Sequence, residues 1–272
     1  LILVTGATGN VGAELVRTLA AEGRPVRGLV RAAGARLPDG AEPVLGDLNE
    51  PTSLRTALDG ADAMFLLAGY PSEVLVEAAA AGVQRVVLLS GGSAIGADTD
   101  NVVSQYMIKS ESDIRASGLE WTILRPTAFM SNTLEWVPQL RAGDVVRAPF
   151  ADIAVATIDP FDIAAVAAAA LAGGHAGREY QLSGPESLLP AERVQQLGQV
   201  LDRPLRFEAE SNDEAWIRMT AAMPEPYVRA FFSFYVDKSL DESAVLNTVD
   251  ELTGRAPRTF QHWARAHRSD FR

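Results

Sequence analysis

The sequence predicts an α/β protein, a Rossmann-type doubly wound parallel sheet with a smaller, mostly helical C-terminal part that covers a substrate. Three observations carry that prediction. Apolar strand-like runs alternate with amphipathic helix-like segments through residues 1–126. The first alternation is joined by a glycine-rich turn, Gly6-Ala7-Thr8-Gly9-Asn10-Val11-Gly12. Over residues 213–272 the chain reads as mostly helical and carries many aromatics, Trp216, Tyr227, Phe231, Phe232, Phe234 and Tyr235 among them.

In chain order, residues 1–5 form a buried apolar strand. Residues 10–22 set Val11, Leu15 and Leu19 on one face of a helix that Gly23 ends. Residues 26–30 and 43–45 make the second and third strands, and Pro51 opens a short helix where its missing N–H costs nothing. Residues 63–67 are a fourth strand, 72–81 a helix closed by Gly82, and 85–89 a fifth strand running into Ser90-Gly91-Gly92. The Gly/Ser/Asp-rich loop to Asn101 is expected to be mobile. Residues 102–117 read as a helix with Gly118 as its C-cap, and 121–124 as a sixth strand stopped by Pro126. Further on, Asp159 caps an Ala-rich helix to Leu171, 180–182 is a short strand, and 190–201 is another helix. No repeat or low-complexity linker intervenes. The expected division is residues 1–126 as a nucleotide-binding core and 127–272 as a covering region partly interwoven with it.

Bulk composition narrows the functional classes. A net charge of −11 disfavours a general nucleic-acid binder, because the phosphate backbone would be repelled. No run approaches the roughly 20 apolar residues of a membrane span. Without cysteine there is no disulfide and no thiolate chemistry, which fits a cytoplasmic protein. With Leu1 already in the first strand, no targeting segment is expected. The three histidines, His175, His262 and His267, lack metal-ligand spacing, so no metal site is expected.

The glycine turn points to a dinucleotide. A strand–turn–helix needs a residue without Cβ to make the turn, close approach of backbone to a pyrophosphate, and tight packing of helix on strand. The helix start adds free N–H groups and partial positive charge. Gly6, Thr8, Gly9, Asn10, Val11 and Gly12 are therefore the candidate cofactor contacts. At the end of the second strand, NAD binders usually carry an acid for the ribose 2′-OH, whereas arginine suits the 2′-phosphate of NADP. Here Arg31 follows the strand and no acid appears until Asp39, which favours NADP(H); the other reading of Arg31 is a solvent-facing arginine. Asp47, with Leu48, is placed either to meet the adenine or to cap the turn before Pro51.

The glycine pattern, Arg31, Gly46-Asp47-Leu48 and the stretch Ser117-Gly118-Leu119-Glu120-Trp121-Thr122-Ile123-Leu124-Arg125-Pro126 together resemble the NmrA-like family of atypical short-chain dehydrogenase/reductases. The similarity continues through Phe129-Met130-Ser131-Asn132, Gly184-Pro185-Glu186 and residues 253–260, covering nearly the whole chain. The resemblance implies a cofactor lying across Gly6 to Gly12, Arg31, Ala68-Gly69 and Ser90. It also implies a substrate against residues 129–136, with Phe129, Met130, Asn132 and Trp136 as candidates; Phe129, Met130 and Trp136 read equally well as core residues. In such relatives a Lys or His precedes the Ser-Gly-Leu stretch by ten residues and a tyrosine of the wider superfamily lies four earlier. Those positions here are Met107 and Val103, neither able to move a proton. No catalytic residue is assigned: Tyr106, which flanks Met107, is the remaining candidate, while Lys109, two residues on, lies about 200° round the helix and points away.

Three functions follow as alternatives. The first is an NADPH-dependent oxidoreductase acting on a small aromatic or quinone-like molecule, which accepts hydride without strong acid help. The second is an NADP(H)-sensing regulator without turnover, and the third a non-redox biosynthetic enzyme on the same scaffold.

Overall fold

The first half is built by strands too apolar to face water on either side, so helices cover both faces. The structure, a computed structural model, describes residues 1–96 and 100–272; residues 97–99 of the Gly/Ser/Asp-rich loop lie outside the described residues. In order come β1 (Ile2–Val4), α1 (Asn10–Ala21), β2 (Val26–Val30) and β3 (Ala41–Leu45). A 3-10 turn over Pro51–Leu54 runs into α2 (Arg55–Leu58), then β4 (Ala63–Leu67), α3 (Glu73–Ala80), β5 (Arg85–Leu89), α4 (Val102–Ala116) and β6 (Glu120–Pro126). A 3-10 segment over Met130–Trp136 leads to α5 (Val137–Ala142), β7 (Val145–Ala148), α6 (Pro160–Ala172) and β8 (Arg178–Leu182). The remainder holds α7 (Pro190–Leu201), β9 (Arg206–Ala209), α8 (Asn212–Ala222), α9 (Glu225–Tyr235), α10 (Thr248–Thr253) and α11 (Phe260–Ala266).

Seven parallel strands pair in the order β3-β2-β1-β4-β5-β6-β8. The order reverses between β1 and β4, and ligands of such sheets bind outside the carboxyl ends of the strands at that switch point. One face of the sheet packs under α1, α6 and α10, with Leu15, Leu19, Phe65, Ile163 and Val166 fully buried. The other face packs under α2, α3 and α4 through Leu54, Met64, Leu66, Val74 and Ile114. A third cluster, with Trp136, Leu197, Phe260 and Trp263, lies within the second half.

Several boundaries differ from the sequence expectation for physical reasons. β3 begins at Ala41 and carries Pro43 in its middle, which only an edge strand tolerates because its free N–H side needs no partner. β6 runs through Pro126 instead of stopping before it, since Pro126 pairs in register with Leu182 of β8. The second half also contains a two-stranded parallel sheet, β7 with β9, that periodicity did not reveal. Each strand is four residues long, too short for alternation to register, and the pair is separated by more than fifty residues of sequence. Residues 237–247 lack regular structure, so the C-terminal stretch is helical only in part.

The boundary at residue 126 is crossed by the fold itself. β8 extends the main sheet, and α6 packs directly on α1. Residues 253–260 act as a strap over the start of α6. Arg255 pairs with the fully buried Asp162 at 3.1 Å, the Arg258 amide donates to the same carboxylate at 2.7 Å, and both guanidinium groups lie over the Phe161 ring. Burial still pushes the Asp162 carboxyl pKa up. Glu186 accepts from the Phe260 amide, tying the Gly184-Pro185-Glu186 turn to the same strap. A Cβ on Gly184 would meet the Thr157 carbonyl oxygen at 1.9 Å, so that turn admits only glycine.

Candidate active site

The three glycines of the first turn do different work. Gly6 has a left-handed φ of 61°, a conformation that favours glycine. A Cβ on Gly12 would meet the Gly6 carbonyl oxygen at 2.1 Å, so Gly12 lets the helix seat against the turn. At Gly9 a Cβ would touch only that same oxygen, at 3.3 Å, and the side toward solvent is open. Thr8, Gly9 and Asn10 are exposed while Ala7, Val11 and Gly12 are buried. The turn therefore presents one face outward and anchors itself with the other. The start of α1 has neither a side-chain cap nor an acid in its first turn, which leaves its positive pole uncompensated.

Around this turn stand the other candidate cofactor residues. Arg31 is exposed at the end of β2 and has no hydrogen bond or ion pair among the described residues, free to meet a phosphate. Arg36 in the same loop is likewise exposed and unpaired among the described residues, a position that sequence pattern alone did not single out. Asp47 caps its own turn: its Oδ1 accepts from the Asn49 amide at 2.9 Å and from Asn49 Nδ2 at 3.1 Å. Its amide donates to Ser53 Oγ, and Leu48 packs on the core. Of the two readings of Asp47, the turn cap is the one its bonds display. The Ala68 amide continues the sheet to the Leu89 carbonyl, and Gly69, at φ 90°, donates from its amide to Ser110 Oγ at 2.8 Å. These residues fit a bound NADP(H): an open glycine face, an uncapped helix start and an unpaired guanidinium at the end of β2.

Ser90, 4% exposed, closes β5. Its Oγ donates to Glu111 Oε1 at 2.7 Å and lies 3.7 Å from the Met107 sulfur. Burial alone would push the Glu111 carboxyl pKa up, but hydrogen bonds from Arg125, Ser90 and Arg115 outweigh it and hold the group below the usual carboxylate range. Arg125 and Arg115 both reach on to Glu179 on β8. This buried network locks Ser90 and joins α4 to β6 and β8. Composition and spacing did not flag Glu111, although Arg125 belongs to the stretch that carries the family resemblance.

On α4, Met107 faces the strand end, with its methyl carbon 3.4 Å from where a Gly91 Cβ would stand. Tyr106 lies alongside Gly69, with a ring carbon 3.6 Å from where that glycine's Cβ would be, and burial pushes its phenol pKa up. Lys109 is exposed and pairs with Asp113 one turn on. It is a surface lysine.

The substrate candidates separate. Asn132 and Trp136 line a cavity of about 560 Å³ together with Ser131, Phe150, Arg193 and Tyr235. Met130, 1% exposed, is instead core, and Phe129 packs half-buried against the α1–α6 side of the sheet; neither lines the cavity. The three-residue turn of the 3-10 segment sets Asn132 and Glu135 together on the cavity side and Met130 and Thr133 together away from it, while Trp136, in register with the latter two, reaches the cavity from the segment's end. Asn10 Nδ2 donates to Ser131 Oγ at 3.0 Å, so the cavity wall is bonded directly to the glycine turn. Phe150 adopts a left-handed φ of 57°, rare for a bulky residue, and is held there by Phe232 and Tyr235.

Comparison with known proteins agrees with this geometry. A family model described as NAD(P)H-binding matches residues 6–173. The chain belongs to that family, and its motifs place it with the NmrA-like reductases. It is 43% identical to the (4-alkanoyl-5-oxo-2,5-dihydrofuran-3-yl)methyl phosphate reductase of Streptomyces griseus, over 100% of this chain and 99% of that one. It is 36% identical to the NAD(P)H azoreductase of Xenophilus azovorans, again over 100% and 99%. The fold of the NADPH-dependent quinone oxidoreductase of Escherichia coli superposes with a TM-score of 0.78 at 21% identity, covering 99% of this chain and 100% of that one. The protein is an NAD(P)H-dependent oxidoreductase that binds NADP(H). The reading as a sensing regulator without turnover gives way to an enzyme. Among the described residues no helix is long and apolar enough to cross a membrane.

Proposed function

We propose that this reductase delivers hydride to an electron-poor conjugated acceptor, either a small aromatic or quinone-like molecule or an alkene activated by flanking carbonyls. The observation that carries the reading is the wall of α4 facing the ends of β4 and β5. Met107 occupies the position from which a relative's Lys or His would act, and the Ser90 proton is committed to Glu111. Bound NADPH supplies the hydride. The residues of this chain hold the cofactor at the glycine turn, orient the acceptor against Ser131, Asn132 and Trp136, and exclude water with the aromatic cluster around Phe150.

An acceptor that delocalises its new negative charge needs no acid at the moment of transfer. A quinone becomes a hydroquinone anion, and an alkene between two carbonyls becomes a stabilised enolate; each then takes a proton from water. The balance is acceptor, NADPH and one proton giving the dihydro product and NADP⁺. The name of the Streptomyces griseus relative describes such an alkene, a ring double bond conjugated with both an alkanoyl group and a lactone carbonyl. Simple ketones lack this outlet, and general acid help ordinarily contributes about 10²–10⁴ in rate.

The test is NADPH consumption with 1,4-naphthoquinone, a 2-acyl-butenolide and acetophenone as acceptors. The first two are expected to turn over and acetophenone to be slower by about 10² or more. Equal rates on acetophenone would overturn the reading. In that event Tyr106, whose raised pKa keeps it protonated, is the candidate donor, and Tyr106→Phe would slow the ketone selectively.

A further inference from the structure

The cavity beside the cofactor turn contains a cation that its own fold does not explain. Arg193 lines the cavity from the first turn of α7, where the helix's positive pole disfavours a cation. Its Nε is buried without an acceptor, and the side chain forms no ion pair among the described residues. The guanidinium instead lies over the Trp136 ring, 5.4 Å from its centroid. A further lining group, Thr157 Oγ1, is also buried without a hydrogen-bond partner. The second arginine of the wall, Arg218, differs, because Glu210 holds it through three hydrogen bonds. Glu135 shares the cavity with Arg193 but stays beyond ion-pairing distance.

Arg193 is partly buried, and a cation drawn into a cavity wall with its Nε buried and unbonded is costly to hold without a partner. We propose that Arg193 is the anchor of an anion subsite, and that the acceptor reduced here carries an oxyanion, a phosphate monoester or carboxylate, on an apolar body. The inference rests on the reading of this cavity as the acceptor site. The positive start of α7 adds to the field of Arg193, and the apolar remainder of the wall, Ile153, Val155, Met219 and Met223, takes the body. Glu135 opposes the anion. Burial pushes its carboxyl pKa up, against the opposing charges of Arg193 and Arg218 and a hydrogen bond with Trp136.

The experiment measures binding, so it does not depend on turnover. Phenyl phosphate, benzoate and phenol are titrated into the whole protein saturated with NADP⁺, which fills the cofactor's own phosphate sites, and followed by thermal shift and calorimetry. Phenyl phosphate or benzoate should bind and phenol should not, and the tighter of the two anions names the group. Arg193→Met should weaken the anion by about 10–100-fold, the worth of a charge-assisted hydrogen bond. Arg193→Lys should recover part of it, and Glu135→Gln should tighten it. Opposite signs at two positions of one wall cannot come from loss of folding. Phenol binding as tightly as phenyl phosphate, or Arg193→Met binding the anion like the parent, would overturn the subsite. Anion binding with no reduction of any conjugated acceptor would leave the subsite standing and defeat the proposed reaction instead.

Discussion

At the glycine turn the surface offered to a ligand is backbone, with Gly9 open on its outer side and the start of α1 uncapped. In the cavity it is side chain, gathered from the 3-10 segment, α7, α8, α9 and the turn at Phe150. The first surface is generic, because peptide N–H groups recognise any pyrophosphate of the right shape. The second is particular, since a wall of charges and rings can discriminate among small molecules. On the proposed reading, the contrast divides the cleft into a side that sets what powers the reaction and a side that sets what receives it. Between them sits a buried lock, Ser90–Glu111–Arg125, with Asn10–Ser131 as a second tie.

Breaking the lock should have the largest effect. Glu111→Ala strands Arg125 and Arg115, and losing one partner of a buried ion pair costs about 3–5 kcal/mol. Urea melts would show it at neutral pH. The folded pKa of Glu111 lies below its unfolded value, so its contribution is fully present above the unfolded pKa and fades as pH falls through the folded one. The stability gap between parent and variant should accordingly narrow in acid. A gap that widened toward low pH would mean that Glu111 is protonated in the native protein.

The glycine turn can be split into its two roles. Gly12→Val drives a side chain into the Gly6 carbonyl and should cost about 3 kcal/mol of fold stability, the upper range of overpacking. Gly9→Val meets one oxygen at 3.3 Å, a tight contact that a shift of a few tenths of an ångström relieves, so the melting temperature should fall far less than for Gly12→Val while NADPH binding is lost. Equal destabilisation by both would show that Gly9 is a folding residue like Gly12.

Sequence legibility divides along the same line. Backbone binding demands glycine at fixed spacing between a strand and a helix, so Gly6, Gly9 and Gly12 were readable, as were six of the seven strands of the sheet up to Pro126. Tyr180–Leu182 supplied the seventh in part. The cavity was not readable, because Arg193, Glu135 and Phe150 converge from distant segments and each alone resembles ordinary surface or core. Only the cation in the first turn of α7 carried a local signal, being set against its helix's own pole. Met130 and Trp136 show the same ambiguity: neighbours on one short segment, both buried, yet only Trp136 faces the cavity.

Arg31 sharpens the cofactor side at intermediate size. Arg31→Ala should weaken NADPH by about 1–3 kcal/mol, as for a charge-assisted hydrogen bond, and leave NADH nearly untouched. Calorimetry with both cofactors reads the difference directly. Loss shared by NADPH and NADH would detach Arg31 from the 2′-phosphate, and Arg36 would become the residue to replace.

The smallest effect is expected at Lys109, and it decides how α4 is read. A helix advances about 100° per residue, so Met107 and Lys109 cannot both face the end of β5. Met107 does, through Ser90 and Gly91, and Lys109 instead projects to solvent beside Asp113. An exposed pair four residues apart is worth only about 0.3–0.5 kcal/mol. Lys109→Ala should thus lower stability by no more than that, and change quinone reduction by less than about twofold. Stopped-flow reduction under single-turnover conditions would isolate the hydride step from product release. A collapse of that step with NADPH affinity intact would require Lys109 to swing into the cleft, and it would return proton donation to the protein in place of water.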